Sequence, residues 1–328
     1  MSNSFIEWIK RVARFFLRAP SVIFDSFYDI GRFIKYSSVI YVRNDRTQLQ
    51  AVIIRKAHNI EKGLSVPNPR PLFGFDQLRD LMKYTRRYIH IYGEDEVTDI
   101  VCNAVREYLS FSSDQRVYDP FLQELADFAD AGRRSAVQIG GTKLYRNQDE
   151  ALDAGTLLRF LRDRTSVRNY REEPIPEDIL QRAVACAAHA PAVCNRQFAR
   201  VWYSSDRHKI DRMLTTQGGA RGFKDVVPTI LMVTADLAAY TGDERYQAWI
   251  DGGLFSMNLI LGLYAQGVSS CCLNWSKDRH LDRQMRRIVP IGNSETIIML
   301  ISCGYAQDGA HVPISTRKSS DYFLNHIP

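Results

Sequence analysis

Between Arg162 and Leu180 the chain reads RDRTSVRNYREEPIPEDIL. Arg164, Ser166 and Arg168 alternate there, and in an extended chain residues two apart project to one side. Two guanidiniums and a hydroxyl aimed at one spot suit a phosphate, because guanidinium forks match its oxygens and the hydroxyl adds a short hydrogen bond. Near the C-terminus PISTRKSSDYF supplies a second basic pair, Arg317 and Lys318, again beside hydroxyls. Between the two lies AAHAPAVCNRQFARVWY, with Asn195 and Gln197 in a loop that enters a strand. Each amide offers a donor and an acceptor, which is what reading the edge of a polar heterocycle requires. Each group also has a plain alternative: solvated surface arginines, or amides that satisfy loop backbone.

The elements around these residues are legible from periodicity. From about residue 151 onward, short β-rich runs (199–205, 229–235, 268–275 and 295–305) alternate with helical stretches (177–189, 207–216, 246–266 and 278–288). Strands apolar on both faces and separated by helices point to a sheet covered on both sides. The stretch AWIDGGLFSMNLILGLYAQG is apolar nearly all round and carries Gly252, Gly253 and Gly262, as a helix at the centre of the molecule or in a subunit interface would. Residues 39–150 read as mainly helical, with helices over 77–112 and 114–131, a helix stopped by Gly63, and a loop-rich connection at DAGRRSAVQIGGTKLYRNQDEA.

Residues 1–38 differ again. Phe5, Trp8, Ile9, Val12 and Phe16 follow helical spacing, with Lys10, Arg11, Arg14 and Arg18 on another arc. Pro20 is expected to close this helix before a second one, SVIFDSFYDIGRFIKYS, begins. The pair reads either as helices packed on the body or as an interfacial anchor, apolar face down and basic face toward anionic headgroups. No run is long enough to span a bilayer.

Composition narrows the classes. The chain has 328 residues with 43 Lys+Arg against 37 Asp+Glu, a net charge of +6. Residues 1–50 hold eight of the basic and four of the acidic residues, so most of the excess sits there and a nucleic-acid partner is not expected. Six cysteines without a C-x-x-C pair, and no apolar leader, fit a reducing cytoplasm. Cys271 and Cys272 are adjacent, and successive strand residues face opposite ways. The sequence lacks G-x-G-x-x-G, G-x-x-x-x-G-K-[ST], H-E-x-x-H and G-x-S-x-G. Any redox chemistry therefore belongs to a bound cofactor.

The order R-x-S-x-R-x-Y, PIPEDIL, A-P…N-R-Q, VVPTILMVTAD, DGGLFSMNLILGLYAQGVSSCCLNW, IIMLISCGYA and VPISTRK resembles the FMN-dependent nitroreductase-like flavoproteins over about half the chain. The resemblance implies an α+β fold: a central mixed β-sheet flanked by helices, here with a helical N-terminal extension. The chain then divides into three parts: by its patterning, 1–38 as a basic amphipathic segment and 39–150 as a helical region outside the family core, and by the resemblance, 151–328 as the FMN-binding domain. The resemblance further implies a homodimer with FMN where the subunits meet. By position, Arg164, Ser166 and Arg168 hold the phosphate and ribityl chain, and Arg317 and Lys318 complete the phosphate site. Asn195, Gln197 and Gln217 lie by the isoalloxazine, with Asn274 and Trp275 along its edge near N5. Departures from the family pattern are Ala192-Val193-Cys194 after Pro191, Phe198-Ala199 in place of the commoner Pro-Trp, and Ala220 in the glycine-rich loop, each of which would remove a polar flavin contact or reshape the substrate face.

The activity implied is electron transfer from NADH or NADPH through the flavin to a small organic acceptor in a ping-pong cycle. Two other readings stay open. One is a membrane-associated flavin-binding accessory protein without turnover. The other is a flavin-dependent dehydrogenase acting on a lipid-linked or peptide intermediate. The expected location is cytoplasmic, with peripheral membrane contact through residues 1–38 as a variant.

Overall fold

A computed structural model describes residues 3–113, 119–132, 139–145 and 152–327. The side chains of Phe5, Trp8, Ile9, Lys10, Arg11, Val12, Arg14 and Arg18, and most of the expected 130–151 connection, lie outside the described residues. Helix α1 (Asn3–Tyr36) is followed by α2 (Arg46–Leu64), α3 (Phe75–Tyr92), α4 (Glu96–Phe111) and α5 (Pro120–Ala131). Aspartates start several of these. Asp45 accepts from the Gln48 N–H at 3.0 Å, Asp95 and Thr98 form a reciprocal capping box, and Asp119 precedes Pro120 at the first helical position. The expected helix over 77–112 is in fact two, because Gly93 turns the chain at φ 78° and Asp95 restarts it. Gly63, expected as a stop, sits in the last turn of α2, where the Phe73 ring fills the space a Cβ would need.

Pro20 does not end the first helix. Asn3–Tyr36 runs through it, although an interior proline costs about 3 kcal/mol by removing one backbone bond. Docking of the following turns offsets that loss. Tyr28 donates to Asp282 at 2.7 Å, Asp25 pairs with Arg279 at 2.8 Å, and Phe33 is buried. Local propensity is overridden by tertiary contact.

The C-terminal half holds α6 (Ala154–Asp163), α7 (Glu177–Ala188), β1 (Ala199–Ser204), α8 (Arg207–Gln217), β2 (Thr229–Asp236), α9 (Gln247–Tyr264), β3 (Ser269–Asn274), α10 (Arg279–Ile288), β4 (Glu295–Gly304) and α11 (Ser320–Phe323). The strands form one sheet in the order β1-β2-β4-β3. The resemblance implies a mixed sheet. All three strand pairings are antiparallel, and the parallel component is an isolated bridge between Ser166 and Ser270. Every residue of β2 is buried. Its alternation divides two cores: Leu231, Val233 and Ala235 face the side that α7 and α9 cover, while Ile230 and Met232 pack with Ile210, Leu214 and Met285 of α8 and α10. A third core belongs to α2–α5 and includes Leu49, Ile53, Leu81, Val101, Tyr108 and Leu125. The fold is thus α+β with a helical N-terminal extension.

Close approach of α7 and α9 depends on Gly262. A Cβ there would lie 2.9 Å from Cys186 Cβ and 3.0 Å from the Ala183 carbonyl oxygen. Because one of these neighbours is helix backbone, Gly262→Val is expected to cost about 2 kcal/mol by overpacking. A lower urea midpoint with an unchanged helical circular-dichroism spectrum is the expected result, and an unchanged midpoint would show that the helices can separate freely.

Candidate active site

Helix α6 ends at Asp163, and Arg164 is already extended at φ −65°, ψ 117°. The chain then runs beside β3. The Val167 N–H donates to the Ser270 carbonyl at 3.1 Å, and the Arg171 N–H to the Tyr305 carbonyl at 2.9 Å. Buried Tyr170 locks this path, its hydroxyl meeting the carbonyls of Val167 at 2.5 Å and Ser302 at 3.2 Å. Burial pushes that phenol far above its ordinary range, so it stays protonated. Alternation along this segment puts Val167 inside and leaves Arg164 and Ser166 half-buried and Arg168 exposed. Among the described residues neither Arg164 nor Arg168 has a carboxylate within 4 Å, whereas Arg162 lies 3.6 Å from Asp163. Behind them sits the Cys271 thiol. Burial pushes it up, against the charge of Arg168, a hydrogen bond with Ser166 and the charge of Arg164. Its neighbour Cys272 is exposed on the opposite face, as alternation requires.

The second group lies on the loop between α7 and β1. Cys194, Asn195 and Gln197 have φ of 48°, 54° and 57°, three non-glycine residues in the left-handed region within four positions. Such conformations cost about 1 kcal/mol or more each and persist only where the surroundings impose them. Arg196 imposes them. Its buried guanidinium donates to the Ala239 carbonyl at 2.5 Å, the Val193 carbonyl at 3.1 Å and Glu244 at 2.6 Å, and it lies over the Tyr240 ring. Asp251 holds the start of the loop, accepting from the Val193 N–H at 3.3 Å and from Tyr240 at 3.2 Å. With the backbone fixed, Asn195 and Gln197 are exposed and joined by a 2.9 Å bond from Gln197 Nε2 to Asn195 Oδ1. A cleft opens beside them, lined by Pro191, Gln197, Phe198, Arg200, Asp251 and Phe255.

The third group closes on the end of β3. Gln217, at the end of α8, is buried; its Nε2 donates to the Asn274 carbonyl at 3.0 Å and its Oε1 accepts from the Gly219 N–H at 2.6 Å. Its amide is thus spent on a clasp between the glycine-rich loop and β3. The Asn274 side chain is exposed. Trp275 donates through its indole N–H to Asp282 at 3.3 Å, which ties that ring to α10. The structure does not bring Arg317 and Lys318 to the Arg164 segment within one chain. Both lie on an exposed C-terminal stretch, Arg317 donating to its neighbouring Ser315 carbonyl and Lys318 lying over Tyr322 at 3.3 Å.

Arg196, Tyr170 and Asp251 are the residues that the sequence reading passed over as positioning groups. Arg196 stood inside the quoted N-R-Q motif, but a buried arginine in a loop leaves no periodic signal. Its meaning depends on Glu244 and Tyr240, more than forty positions away.

Six of the candidate residues, Arg164, Ser166, Arg168, Asn195, Gln197 and Gln217, fall in a single continuous stretch, and that stretch is where comparison with known families succeeds. Residues 161–217 match the nitroreductase family. The chain is also similar to solved nitroreductase structures. An FMN-dependent nitroreductase from Clostridium difficile is 20% identical, with a TM-score of 0.42, over 52% of this chain and 98% of that one. A nitroreductase-like protein from Streptococcus mutans is 19% identical, with a TM-score of 0.46, over 53% and 98%. A nitroreductase with bound FMN from Bacteroides fragilis is 18% identical, with a TM-score of 0.43, over 52% and 98%. Comparison with curated protein sequences gives no match.

The loop anchor has a measurable pH signature. Burial pulls the Glu244 carboxyl up, but Arg196 and the Thr241 N–H outweigh it and hold it below its ordinary value. A depressed folded-state value contributes stability that is present above the unfolded value, about pH 4.3, and is lost as the pH falls through the folded value. Glu244→Gln is expected to remove that part of the acid sensitivity. Arg196→Met, which strands a partly buried carboxylate, is expected to cost about 3 kcal/mol at neutral pH. Urea midpoints of the three proteins between pH 3 and 7 check both; parallel curves would refute the assignment.

Proposed function

We propose that the chain is an FMN-dependent oxidoreductase that takes electrons from NADH or NADPH and gives them to a small organic acceptor. The observation that carries this reading is the pair Arg164 and Arg168, two guanidiniums that among the described residues have no carboxylate within 4 Å, flanking Ser166 within the family-matched stretch. That donor set fits a phosphate monoester, because unpaired guanidiniums next to a hydroxyl leave charge and hydrogen-bonding capacity unspent. The exposed amides of Asn195 and Gln197, held by strained backbone, fit the edge of the flavin ring. FMN, when bound, supplies hydride acceptance from the nicotinamide and electron transfer to the second substrate.

The chain's own residues bind and orient. Arg164, Ser166 and Arg168 take the phosphate end. Asn195 and Gln197 take the ring edge, and the cleft beside Gln197, Phe198 and Phe255 admits donor and acceptor in turn, which is a ping-pong order. Gln217 keeps Asn274 and the glycine-rich loop at a fixed separation from that edge. A homodimer belongs to the proposal. Leu157, Leu158 and Leu161 of α6 and Ile250, Leu254 and Met257 of α9 are exposed apolar residues of the kind an interface covers. A second copy would let the exposed stretch around Arg317 and Lys318 reach the phosphate end of the site. The proposed location is cytoplasmic, with α1 in peripheral contact with the inner membrane face.

Absorption spectroscopy of the purified chain tests the redox reading. A flavin spectrum that bleaches anaerobically with NADH or NADPH is expected, and Arg164→Ala/Arg168→Ala is expected to weaken FMN binding by ~100-fold, since each charged hydrogen bond is worth about 1.5–3 kcal/mol. Protein that stays colourless with added FMN sinks the proposal. Bound flavin that neither nicotinamide reduces would leave a binding protein without turnover.

A further inference from the structure

The contacts that fix α1 to the body lie on one arc of the helix. Asp25 pairs with Arg279 at 2.8 Å, Tyr28 donates to Asp282 at 2.7 Å, and Arg32 donates to the Asn293 and Glu295 carbonyls at 3.1 and 2.6 Å. The opposite arc is apolar and largely exposed. Phe16, Ile23, Phe27, Ile30 and Ile34 are 70%, 53%, 67%, 54% and 44% exposed. Phe16, Ile23 and Ile30, and likewise Pro20, Phe27 and Ile34, are seven positions apart, so they gather on one side of the helix. In the sequence, Phe5, Ile9 and Val12 continue the same spacing upstream.

Positive charge borders this stripe. A groove between α1 and α10 is lined by Phe27, Tyr28, Arg32, Lys35, Arg283 and Arg286, so one wall begins on the stripe itself. Arg286 is committed to Asp282 at 2.8 Å, and both Arg32 and Arg286 donate to the Glu295 carbonyl. Lys35 lies over the Tyr36 ring and Arg283 over the Tyr28 ring, and among the described residues neither has a carboxylate within 4 Å. The acids close by are Asp29, which burial pushes above its ordinary value, and Asp282, which Tyr28 and Arg286 already occupy. Two cations without a carboxylate partner among the described residues, in a groove that begins at exposed Phe27, match the layering of a phospholipid, phosphate above and acyl chain below.

We propose that α1 lies in the interface of a bilayer containing anionic phospholipid, its apolar stripe toward the acyl chains and Lys35 and Arg283 on lipid phosphates. No helix among the described residues is long and apolar enough to cross the membrane, so the attachment is peripheral. Charge favours the lipid over a second copy, because anionic headgroups complement the cations beside the stripe and another copy of the same face would bring more positive charge to it. This inference deepens the location proposed above and rests on that part of the reading, not on the redox part.

The intact chain is sedimented with vesicles of phosphatidylcholine, with and without phosphatidylglycerol, at low and high salt. Binding is expected to anionic vesicles at low salt and to weaken at high salt. Phe27→Asp and Ile30→Asp are each expected to weaken it at least ~10-fold. Lys35→Glu/Arg283→Glu is expected to remove the preference for anionic lipid. Circular dichroism confirms that each variant is folded, and flavin absorbance of the same samples reads the redox proposal separately. Equal binding to neutral and anionic vesicles overturns the inference, as does binding unaffected by the stripe substitutions. So does a wild-type chain that ignores vesicles while Phe27→Asp dissolves a larger assembly in sedimentation velocity, which would assign the stripe to a second copy.

Discussion

The buried guanidinium of Arg196 is the interaction on which the candidate site depends most. It gathers the carbonyls of Val193 and Ala239, the carboxylate of Glu244 and the face of Tyr240. Those partners come from the loop before β1 and from the connection after β2, so one side chain ties two crossings at the same end of the sheet. Without it, nothing obliges Cys194, Asn195 and Gln197 to keep left-handed backbone. The strain is local, while its restraint is distributed over partners distant in sequence. That combination keeps polar side chains presented outward from a loop that would otherwise relax.

Around that anchor the sheet order does the placing. With β2 and β4 in the middle, their apolar residues are covered on both faces, and the chemistry is left to the ends of β1 and β3. The Arg164–Arg168 segment lies along β3 because Val167 and Tyr170 bury their side chains there, which leaves the alternate positions outward. Gln217 then fastens the glycine-rich loop to the end of the same strand. Arg164, Ser166 and Arg168 are thus positioned by neighbours that point the other way.

How much of this could be read from the chain depended on how local the signal is. The four strands and the helices between them follow from period-2 and period-3.6 patterns, and alternation correctly separated buried Cys271 from exposed Cys272. Arg164, Ser166 and Arg168 were legible for the same reason. Pro20 misled because a strong local helix breaker lost to packing of the turns beyond it. The single stretch expected over 77–112 divided because a glycine and a capping aspartate outweighed continuous amphipathic spacing. Gln217 was expected beside a ligand, and its amide also joins two parts of the fold, which the sequence did not signal. That link rests on a carbonyl 57 residues away, which no window of sequence contains. The antiparallel pairing of all the strands is likewise a matter of how distant segments meet.

The helices α2–α5 keep a largely separate core, joined to the sheet side through α2, which packs against residues 193–195 and 237–239, places Ala51 in the sheet-side core and donates from Thr47 to Asp236. Packing constraints are short-ranged, so a change at Leu81 or Tyr108 is felt by its immediate neighbours and hardly at all by the strands. Two separately packed bodies in one chain can therefore accumulate substitutions at different rates. A family signature can persist in one of them long after the other has been rewritten.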